Sequence, residues 1–167
     1  MIGVLRQIAD HLERMLAALG KLCGWLLLAL VIVQFVVVLA RYLLAVNYLW
    51  LQELTLYLHA STFMLAAAWS LTANKHVRID ILRERSGEGA RRLVDVLGAL
   101  FLLVPMMLAI GWASLPYVGQ SWAILEGSAE VSGLPGIFLL KTLLPVFAVL
   151  MLAAGFVRLV RLSGRPS

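Results

Sequence analysis

The stretch Leu22–Leu44, LCGWLLLALVIVQFVVVLARYLL, decides the fold, because it runs from Leu22 to Ala40 without a single charge. About 20 apolar residues in a helix cross the hydrocarbon core of a bilayer. Lipid offers no partner to a peptide group, so such a run satisfies its backbone internally, as a helix. Three further runs read the same way: Leu54–Ala73, Val96–Gly119 and Pro135–Val157. With 62% apolar residues and a mean hydropathy of +0.95, the 167-residue chain is far from the roughly half-apolar composition of soluble domains. Four spans leave room for one membrane domain, 1–167.

The basic residues orient these spans. Arg6, Arg14 and Lys21 precede the first run, Lys75, Arg78, Arg83, Arg85, Arg91 and Arg92 lie between the second and third, and Arg158, Arg161 and Arg165 follow the fourth. Arg41 alone lies at the first connection, the third connection holds no cation, and Lys141 is inside the fourth run. Twelve cations on one side against one on the other predict both termini and the 74–92 segment in the cytoplasm, by the positive-inside rule. The net charge of +5 is thereby spent on orientation and on anionic lipid, which excludes nucleic acid as a partner. Cys23 is the single cysteine, so an internal disulfide and a cysteine metal cluster are both excluded.

Before the first span, Ile2, Leu5, Ile8, Leu12, Met15 and Leu19 recur at spacings of three and four, with Arg6, Gln7, Asp10, Arg14 and Lys21 around the other side. This pattern predicts an amphipathic helix over 1–21, lying in the membrane interface or packed on another protein. The apolar stretch beyond it is longer than a signal-peptide core, so cleavage is not expected. The fold class is therefore all-α integral membrane, an amphipathic interfacial helix followed by four transmembrane helices. Tyr42, Tyr48, Trp50, Tyr117 and Trp122 fall at outer span ends and Trp25 and Trp69 at inner ends, as interfacial anchors do. Gly20 and Gly24, and then Thr62, Ala66 and Ser70, form small-residue stripes suited to close helix packing.

The span interiors are nearly bare. Gln34 falls mid-span and is expected to bond a neighbouring helix; Pro105 is expected to kink the third span. His59 reads as structural, since His11 and His76 lie outside the spans and offer no second haem ligand. Arg41 and Glu53 lie close enough in sequence to pair across the first loop. Lys141 either snorkels outward or pairs with Glu126, Glu130 or a partner's acid. No run holds a carboxylate, and the nearest, Asp95, stands at the cytoplasmic entry to the third span. Transporters that act alone carry mid-membrane ionisable groups or broken helices. Neither that pattern, nor an internal repeat, nor a nucleophile–base set or metal-ligand spacing is found in the sequence. No catalytic residue, cofactor or metal is expected.

Two stretches carry more. The first runs Trp50-Leu51-Gln52-Glu53-Leu54, Tyr57, Ala66-Ala67-Ala68 and His76-Val77-Arg78-Ile79-Asp80. The second runs Ser121-Trp122, Glu126, Glu130, Ser132, Gly133-Leu134-Pro135, Lys141 and Leu144-Pro145. Over about residues 20–160 they resemble the small membrane subunit, of the DctQ or SiaQ type, of tripartite ATP-independent periplasmic (TRAP) transporters. The W-x-x-E-L-x-x-Y opening followed after one span by H-V-R-I-D is the most specific element. The chain departs from many members in having Phe147 in place of a glycine and a charge at Lys141; a subset with an I-K or L-K pair before the proline of the last span exists.

That resemblance implies a bacterial inner-membrane importer of organic acids in three parts. A periplasmic binding protein captures the solute, a large membrane subunit carries the solute and sodium sites, and the small subunit stabilises the large one. Trp50, Glu53, His76, Arg78, Asp80, Glu126, Glu130 and Lys141 are its candidate contact or structural residues. His76, Arg78 and Asp80 alternate with apolar Val77 and Ile79, which suits an extended segment; Asp80 alternatively starts the next helix, or the loop only sets orientation. Glu126 and Glu130 either meet the binding protein, hold Lys141, or are solvated loop acids. From other classes, a membrane anchor of a redox enzyme requires two haem ligands on facing spans, and a self-sufficient exporter requires an embedded carboxylate.

Overall fold

The computed structural model describes residues 2–73 and 87–163, and within them all regular structure is helical. Helix α1 spans Ile2–Leu43, α2 Leu49–Thr72, α3 Glu88–Leu97, α4 Val104–Ala123 and α5 Ile137–Ser163. A π-helical turn, Gly98–Leu103, joins α3 to α4. Four helical stretches are long and apolar enough to cross a membrane: Gly3–Leu43, Leu49–Thr72, Arg92–Ala123 and Ile137–Ser163. The His76–Asp80 segment lies outside the described residues.

Residues 2–21 and the first apolar run are one helix. At about 1.5 Å per residue its 42 residues reach roughly 63 Å, twice the hydrocarbon thickness. A single packing seam runs along it. Ala9, Leu16, Cys23 and Val37 are buried and Leu30 partly so, each seven residues after the last; Leu12, Leu19, Leu26, Val33 and Ala40 form the second row. This 3.5-residue repeat keeps one face toward neighbouring helices. It differs from the stripe expected before the span: Leu5, Ile8 and Met15 stay exposed beside Val4, while Ala9 and Leu16 are fully buried. Ala and Leu at the seam let the backbones approach, whereas the bulkier apolar face is left outside.

Helix α5 is the hub, packed against α1, α2, α4 and the π turn. The core joins Leu16, Ala68, Leu71, Met107, Ala148, Leu150, Met151 and Ala154. Small residues set the close approaches. A Cβ at Gly20 would lie 2.6 Å from the Trp69 ring, so Gly20 is the notch into which that indole fits. Trp69 is thus a packing residue between α1 and α2, beyond the anchor expected of it. Gly24, in contrast, has open space around it. Gly155 on α5 makes room for Leu103, where a Cβ would come within 2.8 Å.

Pro105 sits one residue into α4, directly after the π turn. A proline lacks the donor for the preceding turn and its ring crowds the carbonyl there. The helix answers by widening, with Val104 N–H donating to Ala99 O, five residues back. The expected kink is therefore realised as a π turn. Outward faces carry Trp25, Phe35, Phe63, Phe101 and Trp112, the reverse of a soluble surface and suited to hydrocarbon.

Candidate functional site

The ion pairs of Lys141, Arg158 and Arg161 lie at the two ends of the bundle. At the end where α1 meets α2 and α4 meets α5, the loop between Ala123 and Ile137 is pinned by α2. Glu53 Oε2 accepts a 2.5 Å hydrogen bond from Leu134 N–H, and Glu53 Oε1 accepts one from the Ser128 hydroxyl. Ser128 N–H donates to Leu134 O at 3.1 Å and Gly133 N–H to Glu130 O at 3.1 Å. A Cβ on Gly133 would collide with the Ser128 side chain and fall 2.6 Å from Glu53 Oε1, so glycine makes room for the Ser128–Glu53 contact. Tyr57, one turn along α2 from Glu53, sits over Gly136, where an added Cβ would lie 3.7 Å from its ring and hydroxyl. The W-x-x-E-L-x-x-Y spacing thus presents Glu53 and Tyr57 on one helical face to the same Gly-Leu-Pro-Gly segment. The two resemblance stretches meet here.

The second knot of this end is Lys141. Its Nζ lies 2.5 Å from Glu126 Oε2 and 4.0 Å above the Tyr117 ring centroid. Leu125 adopts a left-handed backbone (φ 45°), uncommon for a residue with a side chain, directly before Glu126. The hydrogen bond from Lys141 holds the Glu126 carboxyl below its ordinary 4.5. Beside it Trp122 Nε1 donates to Thr142 Oγ1 at 2.9 Å and meets Phe138 edge-on at 4.6 Å. Glu130 is exposed, and Lys141 chooses Glu126.

Arg41 and Glu53 do not pair. Glu53 is committed to the loop, and Arg41 reaches Asn47 Oδ1 at 3.4 Å. The physical reason lies in Leu134: its N–H precedes α5 without a helical acceptor, and a carboxylate satisfies it better than water can at a half-buried site. Trp50 is half-exposed and tilted against Tyr48, with centroids 6.5 Å apart. His76, Arg78 and Asp80 lie outside the described residues.

At the opposite end Arg158 of α5 bridges to Asp95 of α3 at 2.9 Å, each side chain 16% exposed. One turn on, Arg161 holds both Asp10 at 2.6 Å and Glu13 at 2.5 Å on α1. Sequence reading noted Asp95 but not its partner. Opposite charges at matching depths of antiparallel spans were the available signal.

Gln34 and His59 are both exposed, facing out of the bundle rather than into it. His11 and His59 are separated along the helices by roughly 35 Å of rise, so they do not converge on one haem. Within the described residues no three of His, Cys, Asp and Glu group as a metal site. The arrangement is mechanical: acids and bases fasten helix ends and one loop, and the buried polar groups deeper in the bundle are hydroxyls such as those of Thr62 and Ser114.

No individual curated protein matches this chain. Residues 14–165 match the family of tripartite ATP-independent periplasmic transporters, DctQ component. That match takes in α2 to α5 and α1 from Arg14 onward, with the Glu53, Lys141 and Asp95–Arg158 contacts but without Asp10 and Glu13, and the chain belongs to the DctQ family of TRAP transporter components.

Proposed function

We propose that the chain is the non-catalytic small subunit of a sodium-coupled, binding-protein-dependent importer of organic acids, and that it packs against and stabilises the large membrane subunit. The carrying observation is the placement of charge. Glu53, Glu126, Asp95, Asp10 and Glu13 all sit at bundle ends and hold loops or helices together. A coupling site for sodium instead needs oxygen ligands or unwound backbone near the bilayer midplane. In this reading the termini and the Asp95–Arg158 end face the cytoplasm of a bacterial inner membrane, following the basic-residue bias. The Glu53–Ser128 loop then faces the periplasm, where exposed Glu130 and Val131 meet the solute-binding protein.

Two measurements test this. Cysteines introduced at Asn47 and Ser128 label from the periplasm with a membrane-impermeant reagent; labelling from the cytoplasm alone contradicts the topology. The large subunit, purified with and without this chain, melts lower without it. Equal melting, or no complex, contradicts the stabilising role.

A further inference from the structure

Two polar rungs run down one outer face of the bundle. On α1, Arg41 and Gln34 are seven residues apart; on α2, Gln52 and His59 are seven apart. Seven helical residues return to within about 20° of the same direction and rise roughly 10 Å. Arg41 and Gln52 are level, since both donate to Asn47 Oδ1. Gln34 and His59 then share the rung one heptad deeper. A 240 Å³ cleft lies between the helices, lined by Gln34, Val37, Val38, Arg41, Gln52 and Thr55 among others.

This face is wrong for lipid. Gln34 and His59 are exposed at hydrocarbon depth, where an unanswered polar group is costly. Other outward positions carry Phe35, Phe63, Phe101 and Trp112. Among the described residues Arg41 meets no carboxylate; its side chain reaches the Asn47 amide oxygen. A phospholipid headgroup answers Arg41 but leaves the deeper rung unanswered. A second copy docked two-fold through this face brings Arg41 toward Arg41, with no acid on the face for either.

We propose that the α1–α2 face is the surface that receives the large membrane subunit. That subunit supplies a carboxylate level with Arg41 and hydrogen-bonding side chains level with Gln34 and His59. The inference rests on the subunit role proposed above and adds the face and the chemistry of the partner. Small polar contacts of this kind join helices in membranes, where apolar burial gives no drive.

The test is co-purification of the large subunit through a tag on this chain. The double variant Gln34→Leu/His59→Leu should retain the large subunit five- to tenfold less, roughly what two interhelical hydrogen bonds supply. Arg41→Leu should weaken retention at least as much, and Trp112→Leu, on α4, should leave it unchanged. Each variant alone should melt as the parent does, because these side chains make no core contact. A photo-reactive phenylalanine in place of Val38, in an otherwise unaltered chain, should cross-link the large subunit. Undiminished retention by the double and Arg41 variants, or cross-linking only to lipid or to a second copy, overturns the proposal. If the parent chain retains no large subunit, the subunit role falls as well; if it does and the face variants match it, the face alone is wrong.

Discussion

Replacing Glu53 by alanine removes the clamp between α2 and the Ala123–Ile137 loop. Two hydrogen bonds go, those from Leu134 N–H at 2.5 Å and from the Ser128 hydroxyl. Hydrogen bonds to a charged acceptor contribute about 1.5–3 kcal/mol each, and a donor left unanswered adds its desolvation cost. The site is half-buried, so water recovers part of this, and about 3 kcal/mol is expected in all. Such a loss lowers the melting midpoint of a chain this long by roughly 10 °C. Cys23 supplies the assay: it is the sole cysteine and 5% exposed, so a thiol-reactive dye reports unfolding without labelling the folded protein. Glu53→Gln keeps one acceptor oxygen and should fall between parent and alanine variant. Ser128→Ala should cost less, and combining it with Glu53→Ala should add little, because the two share one bond. Gly133→Ala should also destabilise the clamp, its Cβ displacing the Ser128 side chain and crowding the Glu53 carboxylate. A Glu53→Ala protein that melts with the parent, or full additivity with Ser128→Ala, refutes the clamp.

Gly20→Ala drives a methyl into the Trp69 ring and should cost about 1–3 kcal/mol, as overpacking does; Gly24→Ala, with open space around it, should be silent in the same dye assay. Glu126 titrates below its ordinary 4.5, so the pair with Lys141 contributes fully above that pH and is lost as pH falls through the lowered value. The parent should therefore lose stability on acidification below about pH 4.5, and Lys141→Met should lose much of that acid dependence in melts across the range. Arg158→Ala takes the guanidinium from Asp95 at a site 16% exposed, and should destabilise by about 3 kcal/mol, with Arg161→Ala, more exposed, well below 1 kcal/mol.

Span number was legible because hydrocarbon imposes one rule on every residue of a crossing segment, and Leu22–Ala40 obeys it without exception. The family was legible because Glu53 and Tyr57 stand at helical spacing and the Gly133-Leu134-Pro135 turn needs them. The pairing of Lys141 with Glu126 was one of several open alternatives, since all the loop acids were within reach of a long side chain. What sequence missed was contact between distant segments. Glu53 turned to Leu134 because an orphan N–H was waiting there, and nothing near Glu53 in sequence announces that donor. The outward aim of Gln34 and His59 was hidden for a similar reason: a polar residue within an apolar run looks the same whether it faces a neighbour or leaves the bundle. The seam of α1 was obscured by composition, because apolar residues on both sides of it gave two stripes and only packing selected Ala9 and Leu16.

The central claim is that this chain assists transport and conducts none itself. Proteoliposomes holding the chain alone, the large subunit alone, or both together, each with the solute-binding protein outside and an inward sodium gradient, measure it directly. Organic-acid uptake is expected only where the two membrane subunits are together. Sodium-driven uptake by the chain alone, or undiminished uptake by the large subunit without it, contradicts the account.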